Sequence, residues 1–251
     1  MNKKNKILFL IEYSQYDSVN IEALVKILKL LNFHLHIDLL ISVQSTLVMP
    51  GIPVGLVAFY DQQLKEELVT GGKNVITKIK NKCDNFGVTC NGNVSIGSLL
   101  NYSVETLNGY DLIIMSDKIE KSGLIDEISG SIYGKISKKH NMPVWVTKSL
   151  SIPFQSLYYF NLTNKDKNGN IDIIKQLQAA LKIPYRKTVS EKFVIEKILV
   201  KEVDNPETSF EHPSIMVFDS ACFEGCPFLD KIYHCIEKLI KISQHHIIFL
   251  P

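Results

Sequence analysis

Asp111–Met115 reads DLIIM and Ser214–Phe218 reads SIMVF, and each is followed at one interval by a second apolar run, Val144–Thr147 (VWVT) and Ile247–Leu250 (IIFL). Leu112 and Val144 stand 32 residues apart, as do Ile215 and Ile247. Short runs rich in Ile and Val, without polar alternation, fit strands buried on both faces. Helices are expected between them, from Gly130 to about His140 and from Leu229 to Ile242. A strand, a crossover and a second strand at one spacing, met twice, is the pattern of an internal repeat.

Working outward, Lys6–Glu12 (KILFLIE) reads as another doubly buried strand. Ile21, Leu24, Val25, Ile27, Leu28 and Leu31 recur at helical spacing, with Asp17 or Ser18 as caps. Leu35–Ile41 gives the next strand, Gln44–Gly55 is rich in turn residues, and a helix from about Gln63 runs through Val75, Ile76 and Ile79 to Phe86, where Gly87 suits its end. Val88–Ile96 is the third strand and Leu99–Leu107 a short helix. Beyond residue 150, Ser156–Phe160 and Ile198–Val203 read as strands and Ile171–Leu181 as a helix. Between its first and penultimate strands this second half is about 45 residues shorter than the first, which predicts a lost or shrunken strand and helix pair.

Strands alternating with helices imply an α/β fold with mainly parallel sheets, because parallel neighbours need crossover connections and helices supply them. The expected organisation is two tandem doubly wound sheets, one in residues 1–148 and one in a shortened, divergent copy, residues 149–251.

The segment from Asp111 to Val146 resembles the signature of the universal stress protein family. In that family a strand of the type DLIVMG leads through a loop to Gly-Ser, a helix and a closing run similar to His-Ala-Pro-Cys-Pro-Val-Leu-Val-Val. Here DLIIMSDKIEKSG is followed by Gly130, Ser131 and then His140-Asn141-Met142-Pro143-Val144-Trp145-Val146. With the opening strand, the resemblance covers residues 5 to 148, and a weaker echo covers 154 to 251. It implies the adenine nucleotide alpha hydrolase-like form of the α/β fold and pairing of closing strands between two copies. Val144, Trp145 and Val146 would then meet Ile247, Ile248 and Phe249, giving an intrachain pseudo-dimer or, through a second chain, a homodimer.

The resemblance also implies a nucleotide site. The family's ATP-binding members resemble one another in a pattern Gly-x2-Gly-x9-Gly-Ser/Thr, in which glycines let backbone N–H groups approach phosphates at a helix N-terminus. Counted back from Gly130 and Ser131, the first two glycine positions are Asp117 and Glu120. A carboxylate 4 Å from a phosphate charge costs about 4 kcal/mol at an effective dielectric near 20. Glu12 stands where the family often has an aspartate after its first strand. Glu12, Ser116, Asp117, Gly130 and Ser131 form the candidate nucleotide site, degenerate at the phosphate end, and no cofactor is expected. Ser129 or Ser131 can equally serve as a plain helix cap. Ser220–Asp230 of the second half has no Gly-Ser start to its helix. Two functions stay open: a non-catalytic stress-response or regulatory module with weak or absent ATP binding and a small-molecule or protein partner, or an ATP-binding protein with slow or no hydrolysis.

Other classes find no anchor. A net charge of +2 makes no strong field for nucleic acid. Glu12 interrupts the opening apolar run as an export signal would not, and no stretch reaches the roughly 18 apolar residues of a membrane span. Five cysteines in no regular framework suit reduced thiols in a cytoplasm. Cys222, Cys226, His234 and Cys235 are a loose zinc-like cluster, but adjacent helical residues diverge by about 100° and no metal is expected. There is no Gly-x-Ser-x-Gly, His-Glu-x-x-His or Walker motif, so no enzyme activity is expected. His34 and His36 read as edge or surface residues; of His245 and His246, one is expected at solvent and the other at a subunit or domain surface.

Overall fold

A computed structural model describes residues 6–12, 21–31, 34–41, 54–96, 107, 109–116, 132–147, 154–161, 168–189, 214–219, 236 and 246–250. Within these, nine strands form one sheet: β1 (Lys6–Glu12), β2 (His34–Ile41), β3 (Cys90–Ile96), β4 (Leu112–Ser116), β5 (Val144–Thr147), β6 (Ser156–Asn161), β7 (Tyr185–Val189), β8 (Ser214–Asp219) and β9 (His246–Leu250). The helices are α1 (Ile21–Leu31), α2 (Val54–Asn85), α3 (Ile132–His140) and α4 (Asn168–Leu181).

The strand order is β3-β2-β1-β4-β5-β9-β8-β6-β7. Every neighbouring pair is parallel except β5 and β9. Val144 faces Phe249, Trp145 faces Ile248 and Val146 faces Ile247 across that antiparallel seam. The two expected sheets are therefore one, joined edge to edge. Read away from the seam, β5-β4-β1-β2 on one side has its counterpart in β9-β8-β6-β7 on the other; β3 has none among the described residues.

Alternation along the strands sorts the side chains into two layers. Ile7, Phe9, Ile11, Ile37, Leu112, Ile114, Trp145, Ile248, Ile215, Val217, Leu157 and Tyr159 share one core with Leu24 and Leu28 of α1, Ile76 and Ile79 of α2, and Ile174 and Leu177 of α4. This core crosses the seam without a break. The opposite faces of β5 and β9 meet α3, where Tyr133 stacks on Phe249 at 6.4 Å between centroids and buried Ser137 Oγ donates to the Phe249 carbonyl at 3.2 Å.

The helix ends follow from local chemistry. The N–H of Val88 bonds the Cys83 carbonyl and that of Gly87 the Asp84 carbonyl, with Gly87 at φ 68°, so α2 closes where Gly87 predicts it. Asn141 at φ 48° does the same for α3, with the Met142 N–H on the Ser137 carbonyl. Gly92 lies under α2 because a Cβ there would stand 2.8 Å from Ile76 Cγ2 and 3.2 Å from the Ile37 carbonyl oxygen.

Three readings change. α2 starts at Val54 instead of near Gln63, so Val54 and Gly55 of the supposed turn segment are helical. β2 lies between β1 and β3 and is no edge, and His36 is half-buried with its ring 5.7 Å from that of Tyr110. Tyr185–Val189, unassigned from sequence, is the strand beside β6. Ile198–Val203, the caps Asp17 and Ser18, all but Leu107 of Leu99–Leu107 and all but Ile236 of Leu229–Ile242 lie outside the described residues.

Candidate functional site

In a doubly wound sheet the chain leaves the centre first in one direction and then in the other, and loops after the two central strands diverge. The crevice at their carboxyl ends is the ligand position. In the first half β1 is followed outward by β2 and β3, and the chain returns to place β4 on its other side. The strand ends at this switch point are Glu12 and Ser116. Leu10 pairs with Met115, so the next residue, Ser116, stands level with Ile11, and Glu12 extends one position beyond it. Two of the five candidate residues are thus brought to adjacent strand ends by backbone register. Asp117, Gly130 and Ser131 lie outside the described residues, as does Glu120.

The other side of the seam has its own switch point, between β6 and β8, at Asn161 and Asp219. Asp219 occupies in β8 the place that Ser116 occupies in β4. It is 1% exposed and accepts a hydrogen bond from the Tyr159 hydroxyl at 3.3 Å, a contact between neighbouring strands. Sequence reading passed over Asp219. The repeat itself carried the signal: aligning SIMVF with DLIIM sets Asp219 against Ser116. The two switch points are unequal, one ending in a hydroxyl residue and the other in a buried carboxylate tied to a tyrosine.

Among the described residues no group of three or more His, Cys, Asp or Glu can hold a metal ion. Cys222, Cys226, His234 and Cys235 lie outside them, and so does His245. His246 opens β9 at the seam, 1% exposed, with the Phe154 ring 4.6 Å away and the Trp145 ring 6.2 Å away, both edge-on. It packs between these rings at the junction. Among the described residues no helix is long and apolar enough to cross a membrane.

No protein-family model matches the chain, and no curated protein matches its sequence. Among solved structures it is similar to a universal stress protein from Archaeoglobus fulgidus DSM 4304, at 11% identity and TM-score 0.48, over 99% of this chain and 98% of that one. It is similar to a putative universal stress protein from Pseudomonas aeruginosa UCBPP-PA14, at 13% identity and TM-score 0.44, over 99% and 93%. A universal stress protein solved in complex with cAMP matches 58% of this chain and 97% of its own, at 15% identity and TM-score 0.37. These similarities to universal stress proteins of known structure all lie at identities of 11–15% and TM-scores below 0.5.

Proposed function

We propose that the chain is a non-catalytic binding module of the universal stress protein kind, working in the cytoplasm, in which two tandem halves pair as a pseudo-dimer and only the first offers a small-molecule crevice. The observation that carries this reading is the inequality of the two switch points: Ser116 ends β4, whereas Asp219, at the matching place, is buried under the Tyr159 hydroxyl. A buried, hydrogen-bonded carboxylate serves the sheet, and it would repel a phosphate. The second half then serves as scaffold for the first.

ATP binds weakly or not at all in this reading. A triphosphate needs several N–H donors converging on it, and Asp117 and Glu120 stand where close backbone approach is required. Gly130 and Ser131 would supply a helix terminus worth about 0.3–1 kcal/mol when exposed, against about 4 kcal/mol for each carboxylate 4 Å from phosphate charge. Magnesium reverses that sign if it bridges carboxylate and phosphate oxygens. Isothermal titration with ATP, with and without magnesium, tests this. Heats too small to fit below about 100 μM are expected, and a dissociation constant in the low micromolar range would overturn the reading. Asp117→Gly strengthens binding if the carboxylate repels phosphate and weakens it if it holds magnesium.

A further inference from the structure

α2, α1 and α4 cover one face of the sheet, with α1 packed on both of the others. Lys26 of α1 stands 5.7 Å over the Phe86 ring just past α2, and Lys82 of α2 reaches Glu22 of α1 at 3.8 Å. The apolar positions of these helices meet the shared core, so the residues left to solvent set the character of the outer surface. α1 exposes Glu22, Lys26 and Lys29. From Gly72 onward α2 exposes Lys73, Lys78 and Asp84, with Lys80 and Lys82 half-buried. Lys175 of α4 and Lys182 just beyond it are exposed too. Eight lysines therefore stand in these stretches against Glu22, Asp84 and Asp172. The whole chain holds 28 basic and 26 acidic residues, so the remainder is acidic on balance and the net charge of +2 averages two unlike regions. The sign changes along α2 itself, whose stretch before Gly71 has Asp61, Glu66 and Glu67 against Lys65.

We propose that this helical face binds the phosphate backbone of a nucleic-acid duplex, independently of base sequence, through the lysines of α1 and α2. Along α2, Lys78 and Lys82 are about 6 Å apart, and along α1, Lys26 and Lys29 about 4.5 Å. Helices in contact lie about 8–10 Å apart, so the two sets make neighbouring rows of ammonium groups. A duplex presents one phosphate charge per roughly 1.7 Å of its axis, and flexible lysine stems bring their charge to whichever phosphate lies nearest. The residue types on the face define the class of partner. Forked recognition of guanine edges uses arginine, and the one arginine of the chain, Arg186, is in β7. Single strands are held by stacking on exposed aromatic rings, whereas Phe86 is half-buried beside Lys26. A helix that lies in a membrane inserts large apolar side chains, and Leu64 and Ile96, the ones exposed among the described residues, fall outside these stretches. This surface is the outer side of the helical layer, and nothing in its argument depends on the crevice at the strand ends.

The test titrates the full chain into a labelled duplex of mixed sequence and follows fluorescence anisotropy between about 50 and about 200 mM sodium chloride. A dissociation constant of about 1–100 μM is expected near physiological salt, the same for a duplex of scrambled sequence. Four phosphate contacts give a log–log salt slope of about −3.6, so binding should weaken on the order of 100-fold across that range. Reversing three exposed charges together, Lys26→Glu, Lys29→Glu and Lys78→Glu, should weaken binding at least about tenfold at the lowest salt and flatten the slope by about three. Circular dichroism establishes that this variant is folded, and the same three positions changed to Gln take its place if it is not. The control reverses as many charges on α3, which meets the opposite side of the sheet, as Lys135→Glu, Lys138→Glu and Lys139→Glu, and should keep the wild-type slope. The proposal falls if wild-type protein leaves the duplex unbound at the lowest salt, or if the two triple variants flatten the slope alike. It falls as well if the protein floats with phosphatidylglycerol vesicles under conditions where the duplex stays unbound.

Discussion

Placing two lysines on the seam, as Val144→Lys with Val146→Lys, should unfold the protein or part its halves. Val144 is 0% exposed and Val146 2%, and their partners Phe249 and Ile247 are 1% and 0% exposed. Each substitution forfeits about 1.5–3 kcal/mol of apolar burial. Each also brings an ammonium to a site where burial costs several kcal/mol even after relaxation and water entry. One lysine already approaches the stability of an ordinary domain, about 5–15 kcal/mol, and two of like sign on one face exceed it. Trp145, the single tryptophan, stands between them at 0% exposure with its ring on the opposite face, so its emission reports on the seam without being altered itself. The double variant should show red-shifted emission, a lost or much lowered melting transition and a larger radius of gyration by X-ray scattering. Ile96→Lys is the control: Ile96 is the last residue of β3 at 50% exposure, and a change within about 0.5 kcal/mol is expected. A double-lysine protein with wild-type emission, melting temperature and scattering would refute the seam.

Gly92→Ala should cost about 1–3 kcal/mol in denaturant unfolding, because its Cβ meets Ile76 Cγ2 at 2.8 Å and Cδ1 at 2.9 Å, and the loss should be less than additive with Ile76→Ala. Tyr159→Phe removes the 3.3 Å hydroxyl donor to the Asp219 carboxylate, 1% exposed; a loss of about 1 kcal/mol is expected, and an unchanged unfolding midpoint would remove Tyr159 as a support of that carboxylate. Ser137→Ala deletes the 3.2 Å bond to the Phe249 carbonyl, a buried contact between α3 and β9, and should lower stability by about 1 kcal/mol in the same assay.

Most of the sheet was legible because its strands are buried on both faces, which leaves Ile7–Ile11, Leu112–Met115, Ile215–Phe218 and Ile247–Leu250 as unbroken apolar runs. β7 escaped notice for the converse reason. Tyr185–Val189 carries Arg186, Lys187 and Thr188, so it offers no unbroken apolar run, and it is the last strand on its side of the sheet among the described residues. The early start of α2 was hidden because Val54–Tyr60 is preceded by Pro and Gly, residues that read as a turn and also suit a helix entry. Glu12 and Ser116 could be placed from their positions after two strands. Asp219 could not be found by motif, since an aspartate after an apolar run looks like the first residue of any loop; only the repeat gave it an address.

The seam also shapes how the chain reaches this structure. Val146 and Ile247 are 101 positions apart, so their pairing closes a long stretch of chain before any contact rewards it. Each parallel set can form from nearer partners first, and the antiparallel join follows as a docking step within one molecule. Because the partner strand is tethered, docking proceeds at a fixed effective concentration and is indifferent to dilution, whereas two separate chains would part as they were diluted. Until docking, Val144–Thr147 and His246–Leu250 are two unsatisfied apolar edges of the same kind, each able to capture its counterpart on another molecule. Refolding at rising protein concentration should therefore yield domain-swapped oligomers as its characteristic error.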